Sequence, residues 1–76
     1  MTLADLTVGK SGIVEKINAE GILLRRMLDL GLIPGTKVRA CYENPAGNPI
    51  AYEIRGTIMA LRVETAQMVN ILREVI

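Results

Sequence analysis

The stretch that decides the fold is Arg25-Arg26-Met27-Leu28-Asp29-Leu30-Gly31-Leu32-Ile33-Pro34-Gly35, where a leucine-rich helix is predicted to end and a strand to follow. A glycine directly after the last apolar helical position adopts the left-handed conformation that ends helices, so we predict the helix end at Gly31. Pro34 and Gly35 suit the two central positions of a type II turn. The chain is therefore expected to reverse into a strand from Thr36 onward.

The length and composition predict one small domain over residues 1–76. A chain of 76 residues buries only about 60% of the surface of its unfolded state, so its core is small. Half of its residues are hydrophobic, and Cys41 is the only cysteine, which excludes an internal disulfide. Such a composition suits a reducing compartment. We expect the domain to fold without metal or disulfide cross-links.

The charge balance and the aromatic content argue against several kinds of partner. Nine Lys and Arg against eight Asp and Glu leave a net charge of +1, too little to attract a phosphate backbone. Two tyrosines without Phe or Trp offer little surface for stacking bases or holding proline-rich peptides. We find no signal-peptide pattern and no apolar run near the roughly 20 residues of a membrane span. We expect a soluble cytoplasmic protein without nucleic-acid binding or membrane insertion.

Five segments have the residue patterns of short strands. β-Branched residues predict a strand over 12–17, and alternation of apolar and polar residues predicts strands over 37–43 and 50–55, separated by the breaker-rich loop 44–49. Gly56 precedes a fourth strand over 57–61, and a fifth is predicted over 69–75. Tyr42 and Tyr52 are expected to lie near each other. The side chains predicted to face the core are Val38, Ala40, Tyr42, Ile50, Tyr52, Ile54, Val69, Ile71 and Val75.

The main helix is predicted over 19–30 with Asn18 as its cap. With successive residues about 100° apart, most apolar side chains share an arc of about 160°. That arc holds Leu23, Leu24, Met27, Leu28 and Leu30, whereas Arg25, Arg26, Asp29 and Ile22 lie on the polar side. A helix packed on a small sheet needs an apolar stripe of about 100° or more, which leaves one flank of the arc free to lie at the surface.

A second helix of one or two turns is predicted within 62–68. Five short antiparallel strands with so little helix favour a mainly β fold, a small barrel that closes its own edges.

Landmarks along the chain resemble one known family. The 25–35 stretch is followed in order by Gly47-Asn48-Pro49-Ile50, Arg55-Gly56, Ala60-Leu61-Arg62 and Ala66. Together they resemble the ferrous iron transport protein A (FeoA) family over residues 3–71. The resemblance implies a small SH3-like β-barrel of about five antiparallel strands, with one inserted α-helix and a short C-terminal helical turn. It also implies a cytoplasmic accessory of the membrane GTPase-permease that imports Fe²⁺.

Two positions depart from the family pattern. Asn48 stands where an aspartate is common, which weakens any metal site in that loop. Met27 stands where a leucine is common, which should leave the packing intact.

No group of residues predicts catalysis or a cofactor. Histidine is absent, there is no Gly-rich phosphate loop, Ser11 has no base beside it, and the carboxylates are scattered singly. Cys41 and Glu43, two residues apart on one strand, are weak candidates for a zinc ion shared with a second molecule, and a small core or surface thiol is the preferred explanation of Cys41. We therefore expect a protein that is not an enzyme and does not itself bind Fe²⁺.

A binding surface on the helix is the remaining candidate site. If part of the apolar helix face is exposed, it would suit a partner protein through Met27, Leu23, Leu24 and Leu28 beside Arg26. The alternative is that the whole face belongs to the core. Gly31, Pro34, Gly35 and Gly56 are predicted to have structural roles. Arg25 and Arg26 suit acidic side chains of a partner or form an ordinary solvated face, and Arg62 is expected to pair with a carboxylate inside the fold.

Two functions from different classes follow. The first is a non-enzymatic accessory that docks on the membrane ferrous iron permease with its GTPase domain. The alternative is a metal-responsive regulatory SH3-like domain acting through a DNA-binding partner, which the low charge and the missing helix-turn-helix segment disfavour. A third possibility, an SH3-like RNA binder, is disfavoured by the missing aromatic residues and the missing basic patch. Exposed strand edges also allow a weak homodimer.

Overall fold

A five-stranded antiparallel sheet organises the computed structural model, which describes residues 1–73. In chain order the elements are β1 (Ser11–Ile17), α1 (Gly21–Asp29), β2 (Lys37–Glu43), β3 (Ile50–Ile54), β4 (Thr57–Leu61), α2 (Val63–Ala66) and β5 (Val69–Arg73), with a 3-10 turn at Leu3–Asp5. The sheet order is β4-β3-β2-β1-β5. The predicted mainly β class is confirmed, and so are all five strands as elements; the predicted end of the last strand, including Val75, lies outside the described residues.

One hydrophobic core receives side chains from every strand and from α1. A single sheet must curl to enclose such a core with one face, and this curvature gives the barrel its shape. The largest fully buried side chains are Tyr52, Leu3, Met27, Leu32, Ile54, Ile71, Val14, Val38 and Val69. The predicted inward positions of β3 and β5 are confirmed for every residue within 1–73.

The two edges of the sheet differ in how they are covered. β5 pairs with β1 on one side, and on its other side the Ile71 N–H donates to the Met1 carbonyl at 3.0 Å while Thr2 forms a bridge with Asn70. Within residues 1–73, β4 pairs with β3 alone. The expected closure of the barrel on itself is therefore incomplete in this part of the chain, because β4 and β5 do not pair with each other.

A bulge in β2 corrects the predicted alternation of that strand. Ala40 pairs with Tyr52 but Tyr42 pairs with Ala51, so one extra residue is inserted at Cys41. The insertion turns Tyr42 to the outer face, where its side chain is 59% exposed, whereas Tyr52 is buried. The predictions that Tyr42 faces the core and lies beside Tyr52 are wrong for this reason.

The start of α1 also differs from the prediction. The Asn18 N–H donates to the Met68 carbonyl at 2.7 Å, so the chain is still tied to the segment before β5 at this point. Glu20, not Asn18, is the residue before the helix, and its side chain makes no capping hydrogen bond. The helix is correspondingly shorter than predicted, covering Gly21–Asp29.

Tyr52 ties the N-terminal turn to the sheet. Its hydroxyl donates to the Leu3 carbonyl at 3.3 Å, and that carbonyl also accepts the Leu6 N–H at 3.1 Å. Burial, and secondarily the nearby Glu43 carboxylate, raises the pKa of Tyr52 to about 12. Since an unfolded tyrosine ionises near pH 10, ionisation favours the unfolded chain between these two values.

We predict that Tyr52 makes the stability of the domain fall at alkaline pH. The stabilisation is complete below pH 10, and about 2–3 kcal/mol of it should be lost as the pH rises to 12. Wild type should exceed Tyr52→Phe by about 0.5–1.5 kcal/mol at pH 8 through the hydrogen bond, and the order should reverse near pH 12. Denaturant unfolding across this pH range measures both.

Tyr42→Phe, which removes an exposed hydroxyl, is the control for the general effect of alkaline pH on the protein. If wild type and Tyr52→Phe lose stability in parallel between pH 8 and 12, the buried phenol is not the source of the loss.

Candidate functional site

The end of α1 forms the closing motif predicted for a glycine stop. Gly31 has φ +101°, and its N–H donates to the Leu28 carbonyl at 3.0 Å. The Leu32 N–H donates to the Met27 carbonyl at 3.2 Å, and both of these side chains are buried in the core. This pair of reversed hydrogen bonds with its apolar contact is the Schellman motif. The predicted helix end at Gly31 is therefore confirmed.

The turn that follows the helix is held against β1. The Thr36 N–H donates to the Ile33 carbonyl at 2.9 Å, and Gly35 has φ +94°, as a type II turn requires at its third position. The Gly35 N–H in turn donates to the Val14 carbonyl at 2.7 Å. The predicted turn is present, and its contact with β1 fixes the position of the end of α1.

Gly31 also lies close to the β3–β4 hairpin. A Cβ atom at this position would lie 3.2 Å from a methyl group of Ile54 and 3.2 Å from a methylene group of Arg55. A Cβ at Gly35 would meet no atom within 4 Å. The two glycines therefore have similar backbone requirements but different surroundings.

We predict that Gly31→Ala destabilises the domain more than Gly35→Ala. Both substitutions place a side chain in a left-handed conformation, at a cost of about 1–2 kcal/mol. Gly31→Ala should cost about 1–3 kcal/mol more, because its methyl group crowds Ile54 and Arg55. Denaturant unfolding of the two variants measures the difference. If both variants lose the same free energy of unfolding, the contact of Gly31 with the hairpin does not contribute to the effect.

Met27 is the side chain that fixes α1 to the core, which corrects its predicted role as a contact residue. It is 1% exposed, and Leu30 packs against the same core from a half-buried position. Leu23 is 37% exposed, and Leu24 and Leu28 are half-buried without belonging to the core cluster. Part of the apolar arc thus lies at the surface, as the sequence allowed, but Met27 is excluded from it.

Ile22 is the exposed residue that the helical arc alone did not select. Its side chain is 80% exposed at the first turn of α1, four residues before the exposed Arg26. Residues three or four apart on a helix are neighbours on its surface. Arg26 is therefore next to both Ile22 and Leu23, and the three side chains form one continuous strip. In the sequence, the signal for this exposed side chain was an isoleucine on the charged side of the helix. We call Ile22, Leu23 and Arg26 the α1 strip.

The weak metal candidates are not brought together with further ligands. Among residues 1–73 there is no group of three or more His, Cys, Asp or Glu side chains that could hold a metal ion. The half-buried Cys41 thiol lies 3.7 Å from the Arg39 carbonyl. Glu43 pairs with Ile50 after the bulge, so the simple alternation that placed it on the side of Cys41 no longer applies.

Asn48 has a structural function in its loop. Its Oδ1 accepts the Val63 N–H at 3.2 Å, and its Nδ2 donates to Glu64 Oε1 at 3.2 Å. The Asn48 side chain therefore provides a hydrogen-bond acceptor for a backbone N–H at the start of α2 that has no partner within the helix. The replacement of the family's common aspartate by Asn48 did not by itself predict this contact.

The remaining polar candidates occupy separate positions. Ser11 lines a shallow cleft of about 340 Å³, where Arg39 pairs with Glu53 at 3.1 Å. Arg62 is exposed before α2, and no carboxylate within residues 1–73 forms the ion pair expected for it. Arg25 is exposed on α1. No helix in the described part of the chain is long and apolar enough to span a membrane.

The sequence profile of the FeoA domain matches residues 1–73. The chain belongs to the FeoA family. This family consists of accessory domains of ferrous iron transport, and the match confirms the resemblance seen in the sequence.

Two solved FeoA structures share the fold. The FeoA protein from Chlorobium tepidum has a TM-score of 0.88 at 30% identity, over 96% of this chain and 70% of that one. Stenotrophomonas maltophilia FeoA, described as a procaryotic SH3 domain protein and complexed with zinc, has a TM-score of 0.82 at 32% identity, over 93% of this chain and 88% of that one. The predicted SH3-like class is therefore confirmed.

A curated relative carries a FeoA domain inside a longer protein. The fusion of Fe(2+) transport protein A with the Fe(2+) transporter FeoB from Porphyromonas gingivalis is 24% identical over 71 residues, which cover 93% of this chain. The chain spans only 8% of that relative.

Proposed function

We propose that this FeoA-family chain is a non-enzymatic, cytoplasmic accessory of ferrous iron import that docks on the membrane permease with its GTPase domain and modulates it. The observation that carries the proposal is the α1 strip, an exposed apolar and cationic surface on a helix whose opposite side is fixed in the core by Met27. Ile22 at 80% exposure has no structural role in the described fold, and a partner surface would cover it.

The position of the α1 strip supports docking by a pre-ordered surface. The closing motif at Gly31 and the turn contact with β1 fix the C-terminal end of α1, and the buried Met27 fixes its middle, so the short helix that carries the strip has little conformational freedom to lose on binding. Exposed apolar side chains next to an arginine resemble the composition of protein–protein interfaces, in which apolar residues and arginine are common at the buried centre. Leu24 and Leu28, half-buried and outside the core cluster, extend the apolar area along α1.

The fusion relative supports the choice of partner. In that protein a FeoA domain and the transporter are parts of one chain, which keeps them at high effective concentration. In this proposal a separate FeoA-family chain reaches the same neighbourhood through its own binding surface. Acidic or apolar residues on the cytoplasmic part of the permease would meet Arg26 and Ile22, respectively.

We predict that Ile22→Asp weakens binding to the solubilised permease by at least about tenfold, because a carboxylate would be buried in an apolar contact. Arg26→Glu should also weaken binding, with a loss that diminishes at high salt. Affinity measurements with immobilised permease, with and without guanine nucleotide, test both variants. Circular dichroism establishes that each variant is folded, which the exposure of both positions favours.

Val8→Asp is the matched control, since Val8 is exposed on the turn before β1 and lies outside α1. It should bind like wild type. The proposal fails if wild type does not associate with the permease, or if Val8→Asp weakens binding as strongly as Ile22→Asp does.

A further inference from the structure

β4 is an edge strand that lacks the features by which proteins usually prevent an exposed edge from pairing with another strand. Within residues 1–73 it pairs with β3 on one side and with no strand on the other. Its sequence, Thr57-Ile58-Met59-Ala60-Leu61, contains no charged residue, proline or glycine. Monomeric sheet proteins blunt exposed edges with lysine, proline, bulges or covering segments. The other edge of this sheet is covered in that way, by Met1 and Thr2 along β5.

The hairpin turn determines which backbone groups the β4 edge presents. Arg55 and Gly56 have φ +54° and +83° between the paired residues Ile54 and Thr57, which is a two-residue hairpin turn of type I′. In such a turn the two flanking residues are hydrogen-bonded to each other, so the N–H and C=O of Thr57 point toward β3. Because this direction alternates along an antiparallel strand, the groups of Ile58 and Ala60 point outward.

We propose that a second copy of this chain occupies the β4 edge, in an antiparallel pairing centred on Met59. In this register the N–H and C=O of Ile58 bond to those of Ala60 in the second copy, and the reverse pair forms by symmetry. All four outward-pointing backbone groups of each Ile58 and Ala60 pair are then satisfied. The edge is complementary to itself, which a strand of unrelated sequence need not be.

The side chains fit the same register. Ile58, 54% exposed, would lie opposite the small Ala60 of the second copy on the outer face of the joined sheet. Within β4 itself no like charges meet, because the strand carries none and the neighbouring Glu53, which pairs with Ile58, is neutralised by Arg39 at 3.1 Å. The exposed Arg62, directly after β4, would lie opposite Gly56 of the second copy and near its Arg55, so positive charges meet only at the two ends of the joined edge. Met59, half-buried, would meet the Met59 of the second copy on the opposite face.

The covered β5 edge limits the assembly to two copies. A two-fold pairing of β4 with β4 uses the same surface on both chains and is closed. Further sheet extension would require the β5 edge, where Met1 and Thr2 already bond. The proposal concerns the sheet and does not depend on the α1 strip, so failure of one leaves the other standing.

A cysteine placed at the two-fold axis tests the pairing. Met59 would be a non-hydrogen-bonded pair with a Cα separation of about 4.5 Å, which lies within the range of disulfide bonds. In a Cys41→Ser background, which removes the native thiol, Met59→Cys should form a covalent dimer under mild oxidation that dithiothreitol reverses. Thr57→Cys in the same background is the control, because the two copies of this residue would lie about 13 Å apart.

Sedimentation of the unmodified chain over a range of concentrations gives the second readout. Wild type should dimerise, and Ile58→Lys, at an exposed position, should weaken the dimer at least about tenfold, since the two lysines would lie about 7–8 Å apart across the strands. The proposal is overturned if wild type stays monomeric at millimolar concentration, if Thr57→Cys cross-links as readily as Met59→Cys, or if Ile58→Lys leaves dimerisation unchanged.

Discussion

The left-handed conformation of Gly31 is the constraint on which the rest of the structure depends. It turns the chain so that the amides of Gly31 and Leu32 reach back to the last helical carbonyls, and it brings Leu32 into the core beside Met27. A residue with a side chain would meet both the backbone penalty and the β3–β4 hairpin at this point. Helix, turn and sheet are thus joined at one residue without a Cβ atom.

The contacts around Gly31 keep the short helix α1 ordered although few of its side chains are buried. α1 contributes one fully buried side chain, Met27, and most of its remaining surface faces outward. A helix of nine residues is marginal in isolation, so its order comes from the closing motif and from the turn bonded to β1. The consequence for function is a rigid exposed strip that the small core does not need for its own stability.

Local signals in the sequence were sufficient for the helix end and the turn, because Gly31, Pro34 and Gly35 act through their own backbone preferences. Strand existence was equally predictable from alternation. The outward rotation of Tyr42 was not, since a bulge is defined by the register with β3. Likewise the helical arc identified the apolar residues, but the choice of Met27 as anchor and the exposure of Ile22 depend on how the sheet curls beneath α1. The partner-binding role of Leu23, Leu24, Leu28 and Arg26 stays a prediction.

The most direct test of the account is amide NMR of isotope-labelled chain titrated with the cytoplasmic GTPase-containing part of the permease. If α1 is held from one side and binds with the other, the largest shifts or broadening should fall on Ile22, Leu23 and Arg26, while amides of the inner sheet face such as Ile54 and Ile71 stay unchanged. Perturbation confined to the outer face of β2 to β4, or none at saturating partner, would contradict it.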